Sequence, residues 1–230
     1  NAQSKVEGHN FEIRKHLLEY DDVMNQQREV IYRQRRQALE ESDLKSVVLE
    51  MIEDKAYDLV DEFTQEKVPV KQWNLEGMTG AVQQLFGFDP DLESAADENL
   101  GVEQIAKRIS EKATAQYNEK MALIGDLQAR QLERFIILQT VDSRWKEHLL
   151  SMDHLKEGIG LRGYAQQDPL RIYKKEGFDM FQGLMDRIKE EVVDILFKIQ
   201  ITTPAQVEEM KTEEQQEMNF SHSDGSTAKQ

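Results

Sequence analysis

The chain has 230 residues, with 44 Asp and Glu against 29 Lys and Arg and a formal charge of −15, a balance that argues against nucleic acid as its main partner. It has no cysteine, which excludes disulfides and thiolate metal sites. With 32% charged residues, 39% apolar ones, 12 Gly and 4 Pro, it reads as all-α, built from long helices whose surfaces are largely wet.

The stretch from about Phe11 to Glu41 lacks Gly and Pro. Ile13, Leu17, Tyr20, Met24, Ile31 and Ala38 recur at threes and fours, with Gln27 and Gln34 in two of the slots. This predicts one helix of about 30 residues, roughly 45 Å long, with Asn10 as its N-cap. A stripe that narrow must lie along partners. A second helix is expected over 43–66, with Val48, Ile52, Ala56, Leu59 and Phe63 on one face and Ser42 as cap. Glycines and prolines gather between Val68 and Gly101, predicting a short helix over 76–86, a turn at Phe86-Gly87-Phe88-Asp89-Pro90 carrying buried aromatics, and an acidic loop at Asp97-Glu98-Asn99. Trp73 reads as an anchor of this region, with an exposed interface role left open. Val102, Ile105, Ile109, Ala113, Tyr117, Met121 and Ile124 trace another helix. The block 43–124 thus reads as a small inserted helical unit with a thin core.

Two long arms follow. The first, from about Asp126 to Gly158, carries Leu138, Val141, Trp145, Leu149 or His148, Met152, Leu155 and Ile159, and Gly158 and Gly160 are expected to end it. The second, about 170–201, carries Phe178, Phe181, Met185, Ile188, Val192, Ile195 and Ile199 as a coiled-coil-like seam. The connection Leu161-Arg162-Gly163-Tyr164-Ala165-Gln166-Gln167-Asp168-Pro169 is short, so the arms form an antiparallel hairpin with this loop at its tip. Thr203-Pro204 stops the second arm, and the acidic stretch beyond reads as a frayed helix and disordered tail.

The chemistry of an enzyme is hard to find. There is no glycine-rich phosphate loop, and Ser143 and Ser151 lack the strained setting of a nucleophile. His148, Asp153 and His154, with Glu147 beside them, are five and six residues apart and do not share a helix face, which weakens a metal site. Asp21 and Asp22 point about 100° apart and read as a solvated face with Arg28 and Arg14 as partners. Arg33, Arg35 and Arg36 read as a solvated face or as an interdomain or lipid-facing patch. Trp145 and Met152 read as core. Tyr164 stands evenly between contact with a partner and a cap folded back on the hairpin. The longest aliphatic–aromatic run, Phe135 to Leu138, is far too short to span a bilayer. No signal peptide is visible, and the chain starts Asn-Ala-Gln-Ser-Lys, so it is expected to be a piece of a longer protein.

Three runs of residues are familiar together. Lys5-Val6-Glu7-Gly8-His9-Asn10-Phe11-Glu12-Ile13-Arg14-Lys15 with Leu18-Glu19-Tyr20-Asp21-Asp22-Val23 resembles the start of the scaffold helix of the SecA family of bacterial preprotein translocase motors. Leu138-Gln139-Thr140-Val141-Asp142-Ser143-Arg144-Trp145-Lys146-Glu147-His148-Leu149 and Met152-Asp153-His154-Leu155 resemble the first arm of that family's two-helix finger. The segment 161–169 resembles its fingertip. The resemblance covers about 2–202 and is weakest over 66–100.

It implies a scaffold helix over 1–42, a helical wing over 43–125, a two-helix finger over 126–202 and a flexible acidic tail over 203–230. It also implies that Leu161, Arg162, Gly163, Tyr164 and Ala165 contact the preprotein at the SecYEG channel, driven by motor domains that bind ATP with magnesium. Those motor domains are not in this sequence, so the chain alone is expected to be inactive as an ATPase. The implied partners are the channel, unfolded preprotein and the missing motor domains; an anionic membrane surface and a homodimer stay open. The implied location is cytoplasmic, peripheral on the inner membrane. The family's cysteine-rich zinc segment, which binds the chaperone SecB, has no counterpart here. A purely structural coiled-coil scaffold without a transport role is the alternative, and a metal-dependent helical-bundle enzyme is the third.

Overall fold

The computed structural model describes residues 2–40, 44–64, 68, 72–92, 100–162 and 168–201. These residues form six α-helices: α1 (Ala2–Glu40), α2 (Leu44–Phe63), α3 (Leu75–Phe86), α4 (Val102–Ala122), α5 (Asp126–Arg162) and α6 (Pro169–Lys198). Among the described residues there is no strand, as the composition predicts.

α1 is the longest, 39 residues or about 58 Å at 1.5 Å per residue. Asn10 lies inside it, so the expected N-cap is not used. Ala2 to His9 contain no Pro and one Gly, and nothing in that stretch breaks the helix before it reaches Asn10. α5 also runs past its expected end. Gly158 and Gly160 both lie within it, and neither adopts positive φ. A glycine costs a helix about 1 kcal/mol against Ala but does not stop it, and Ile159 between them is buried. Where glycine is needed, it terminates: Gly87, at φ 76°, caps α3 and donates its N–H to the Gln83 carbonyl at 3.0 Å. At the other end of α3, Asn74 Oδ1 accepts from the Gly77 N–H at 3.0 Å.

α5 and α6 form an antiparallel hairpin, and α1 lies along it. Ring contacts and hydrogen bonds show the directions. α1 pairs Asp21 with Lys156 and Arg35 with Asp142, so it runs against α5. It sets Tyr20 on Tyr173 and Gln27 on Gly177, so it runs with α6. The buried α1 positions Gln27, Ile31 and Ala38 belong to the expected stripe.

The block between α1 and the hairpin does not keep a thin core of its own. Leu44, Val48, Ile52, Ala56 and Val60 of α2, Met78, Val82 and Phe86 of α3, and Ile105, Ile109, Ala113 and Tyr117 of α4 join one cluster with Ile31, Val141, Ile188, Val192 and Leu196. Phe86 meets Phe197 edge-on at 5.1 Å. Trp73 hangs on the edge of this cluster, its Nε1–H given to the Val68 carbonyl at 2.9 Å. Of the two aromatics of the Phe86–Pro90 turn, Phe86 is buried as expected and Phe88 is half-buried, stacked on Phe86.

The seam on α6 differs from the heptad expectation. The buried residues are Tyr173, Gly177, Leu184, Ile188, Val192, Val193 and Leu196. Phe178 is 57% exposed, and Phe181, Met185, Ile195 and Ile199 are only half-buried. A heptad seam assumes one partner helix. α6 has several: α5 along its length, α1 beside its first half at Tyr173 and Gly177, and α2 and α3 beside its second at Lys189 and Phe197. The buried face therefore turns and widens, until the adjacent residues Val192 and Val193 are both covered.

Candidate functional site

The tip connects Arg162, the last residue of α5, to Pro169, the first of α6. Of the expected contact residues, Gly163, Tyr164 and Ala165 lie outside the described residues. Leu161 and Arg162 sit on the final turn of α5, with side chains outside the described set. The return into α6 is built from local chemistry. Asp168 Oδ1 accepts the Leu170 N–H at 3.1 Å, the Asp168 carbonyl accepts from Ile172 N–H at 3.2 Å, and Pro169 occupies the first turn, where a missing N–H costs nothing.

Just behind the tip lies a small apolar cluster separate from the main core. Met152 and Ile159 of α5 and Tyr173 of α6 are each 1% exposed, and Tyr20, Val23 and Met24 of α1 pack on them. The Tyr20 and Tyr173 rings are 4.7 Å apart and tilted by 54°. Lys156 sets its ammonium 5.6 Å over the Tyr20 ring and 3.7 Å from Asp21 Oδ1. Burial, then the carboxylates of Asp153 and Asp21, pushes the Tyr173 phenol up to about 12, so it stays neutral at any physiological pH.

One turn further from the tip is a polar inlay. Gln27 Nε2 donates to the Gly177 carbonyl at 2.9 Å, and Gln27 Oε1 lies 2.8 Å from His148 Nε2. A carbonyl can only accept, so the Gln27 amide nitrogen must face Gly177 and its oxygen must face His148. His148 therefore presents Nε2–H. Its ring is stacked on Trp145 at 5.5 Å and edge-on to Phe181 at 5.8 Å. Burial, then the guanidinium of Arg187, holds its pKa below the ordinary value, so the ring is neutral at pH 7. Gly177 admits this arrangement because it has no side chain: a Cβ there would meet Met152 Cε at 2.8 Å.

The far end of the hairpin is fastened by charges. Lys120 of α4 donates to the Leu196 and Phe197 carbonyls at 3.0 and 2.7 Å, satisfying acceptors that the end of α6 leaves open. Lys189 pairs with Asp54 of α2 at 2.5 Å, and its pKa is raised chiefly by that hydrogen bond. Arg144 joins α5 to α6 through Glu191 at 2.5 Å. Glu133 is fully buried, accepting from Tyr117 Oη of α4 and, at 2.5 Å, from Arg130. Burial and this carboxylate raise the Tyr117 phenol. The sequence reading missed Glu133; the spacing Arg130-x-x-Glu133 on a buried helix face was its signal.

The metal candidates are not brought together. His148 is inside and bonded to Gln27, while His154 is outside and 3.9 Å from Glu157. Glu147 pairs with Arg144. Among the described residues no group of three His, Cys, Asp or Glu could hold a metal ion. Asp21 finds Lys156 rather than Arg28, which bonds to Asn25. Arg35 reaches Asp142 at 3.0 Å, and Arg33 and Arg36 are exposed. No helix among the described residues is long and apolar enough to cross a membrane.

The family model described as the SecA wing and scaffold domain matches residues 1–200. That match spans every helix described above. The chain belongs to the SecA family. It is 53% identical over its whole length to the protein translocase subunit SecA of Desulforapulum autotrophicum and 50% identical to that of Syntrophobacter fumaroxidans, covering 27% of each. It is 47% identical to that of Geotalea uraniireducens over 94% of the chain and 24% of the relative. The chain thus spans about a quarter of the SecA proteins that it matches.

Proposed function

We propose that this chain is the helical part of a SecA-type translocase that carries motor-domain motion to a preprotein at the mouth of the SecYEG channel. The tip 161–169 is the point of contact, and Tyr164 is the side chain that touches the moving polypeptide. The observation that carries this reading is the cluster behind the tip: Tyr20, Val23 and Met24 of α1 pack on Met152, Ile159 and Tyr173 of the hairpin, so α1 bears directly on the hairpin just behind the tip.

ATP with magnesium belongs to the rest of the longer relatives in this reading. This sequence has no glycine-rich loop to cradle phosphates, and among the described residues no cluster of ligands for the metal, so no step of nucleotide chemistry is assigned to its residues. Zinc is likewise unassigned, since the chain has no cysteine. The partners are the channel, unfolded preprotein and the motor domains, on the cytoplasmic face of the inner membrane. The exposed pair Arg33 and Arg36 offers a contact to an anionic surface.

Photo-crosslinking from position 164 in an intact translocase carrying a stalled preprotein tests the assignment. A crosslink to the preprotein, and loss of transport on Tyr164→Asp, are expected. Full transport by Tyr164→Asp with no crosslink would instead support a purely structural scaffold.

A further inference from the structure

We propose that the Gln27–His148–Gly177 bridge fixes the axial register of α1 along the hairpin. The use of that register in transport rests on the function proposed above; the register itself is a property of this chain and is measured without transport.

Most of the rest of the α1–hairpin contact is apolar and tolerant of sliding. Tyr20, Val23, Met24 and Ile31 meet Met152, Tyr173, Met180 and their neighbours through surfaces that have no preferred direction. Arg35–Asp142 and Asp21–Lys156 are directional, but their side chains are 47% and 44%, and 62% and 39%, exposed, where an ion pair holds little. Arg134 Nε also donates to the Ala38 carbonyl at 3.0 Å, but from a long, flexible side chain near the end of α1. The bridge differs in both respects. Gln27 and His148 are 7% and 5% exposed, and one amide satisfies groups on two other helices at once.

The alternatives are few. A slide by one turn, about 5.4 Å, replaces Gln27 by Val23, Met24, Val30 or Ile31. Each would leave the Nε2–H of His148 facing a hydrocarbon, at the cost of an unmade buried hydrogen bond. The next amide on the stripe, Gln34, is two turns away. His148 cannot rotate to follow, since Trp145 and Phe181 hold its ring on two sides. A single buried polar contact in an apolar helix seam is a known way to select one register at some cost in stability.

The absence of native cysteine makes the test clean. Spin labels are placed on the full chain through Arg36→Cys and Lys175→Cys, exposed positions on α1 and α6, and the distance distribution is read by double electron–electron resonance. The parent gives one narrow peak. Gln27→Leu with His148→Leu keeps its helical circular dichroism and gives a peak broadened or displaced by several ångström, toward the ~5.4 Å of one turn. His148→Gln, which keeps an N–H for Gln27, restores the parent peak, and Gln34→Leu leaves it unchanged. An unmoved narrow peak in the double leucine variant overturns the proposal. So does an identical distribution for His148→Leu and His148→Gln, which also decides the matter should the double variant lose its helicity. A failed crosslink at position 164 would remove the transport role and leave these distances as they are.

Discussion

At its open end the hairpin merges with α2, α3 and α4: Phe197 against Phe86, Lys120 on the last carbonyls of α6, Lys189 on Asp54, and buried Glu133 between Arg130 and Tyr117. At its closed end the cluster of Met152, Ile159 and Tyr173 draws on α1, α5 and α6 alone. The open end uses a large shared core and several charge-assisted contacts. The closed end uses one small apolar clasp and one amide bridge. One end is built into the shared core, and the other, among the described residues, packs on α1 alone.

The comparison breaks most severely at the open end. Arg130→Leu removes the cation against which fully buried Glu133 holds its charge, and breaking such a pair costs about 3–5 kcal/mol. Urea denaturation should show that loss, with amides of α4 exchanging faster and those around Tyr20 unchanged. Gly77→Ala is smaller. Its methyl would sit 2.4 Å from Asn74 Nδ2 and 2.9 Å from the Phe63 ring, displacing the cap of α3, at about 1–2 kcal/mol. The expected readout is a lower melting temperature with the α1–hairpin contacts intact.

At the closed end, pH sharpens the picture. His148 is neutral when folded and has a lowered pKa, so the unfolded chain binds its proton first. Stability is unaffected above the unfolded value of about 6.5 and declines as pH falls below it. The urea midpoint should drop between pH 7.5 and 5.5, and His148→Gln should flatten that part of the profile. The smallest effect belongs to the surface. Arg35→Ala removes a half-exposed pair with Asp142 and should change stability by no more than about 0.5 kcal/mol.

Much of this was legible in the sequence, because long helices announce themselves by period. The stripes on α2 and α4 named most of the buried residues, though not Leu44, Val60, Ala106 and Ser110, and their outer members Phe63, Val102 and Ile124 are half-buried. Three features were not legible, for distinct reasons. Asn10, as a start, and Gly158 and Gly160, as stops, carry local boundary signals that are weaker than the packing and propensity of the helices around them. The buried face of α6 turns because α6 changes partners half-way, and no period in its own sequence records that. Gln27 and His148 sat in apolar slots as two unrelated oddities; only the fold makes one contact of residues that lie 121 positions apart in sequence. The tip residues Gly163, Tyr164 and Ala165 were singled out by loop chemistry and by resemblance to the SecA fingertip, and that assignment awaits the crosslink.

The most direct test of the two-ended account is native-state hydrogen exchange on Tyr173→Ala. Tyr173 is fully buried, and its truncation removes most of the clasp, a loss of about 3 kcal/mol. The account predicts faster exchange confined to α1 near Tyr20–Met24 and to α5 and α6 near Met152–Ile159 and Ile172–Met180, with α2, α3 and α4 at parent rates. Uniform acceleration across all six helices would show one cooperative body, and would contradict a hairpin fastened separately at its two ends.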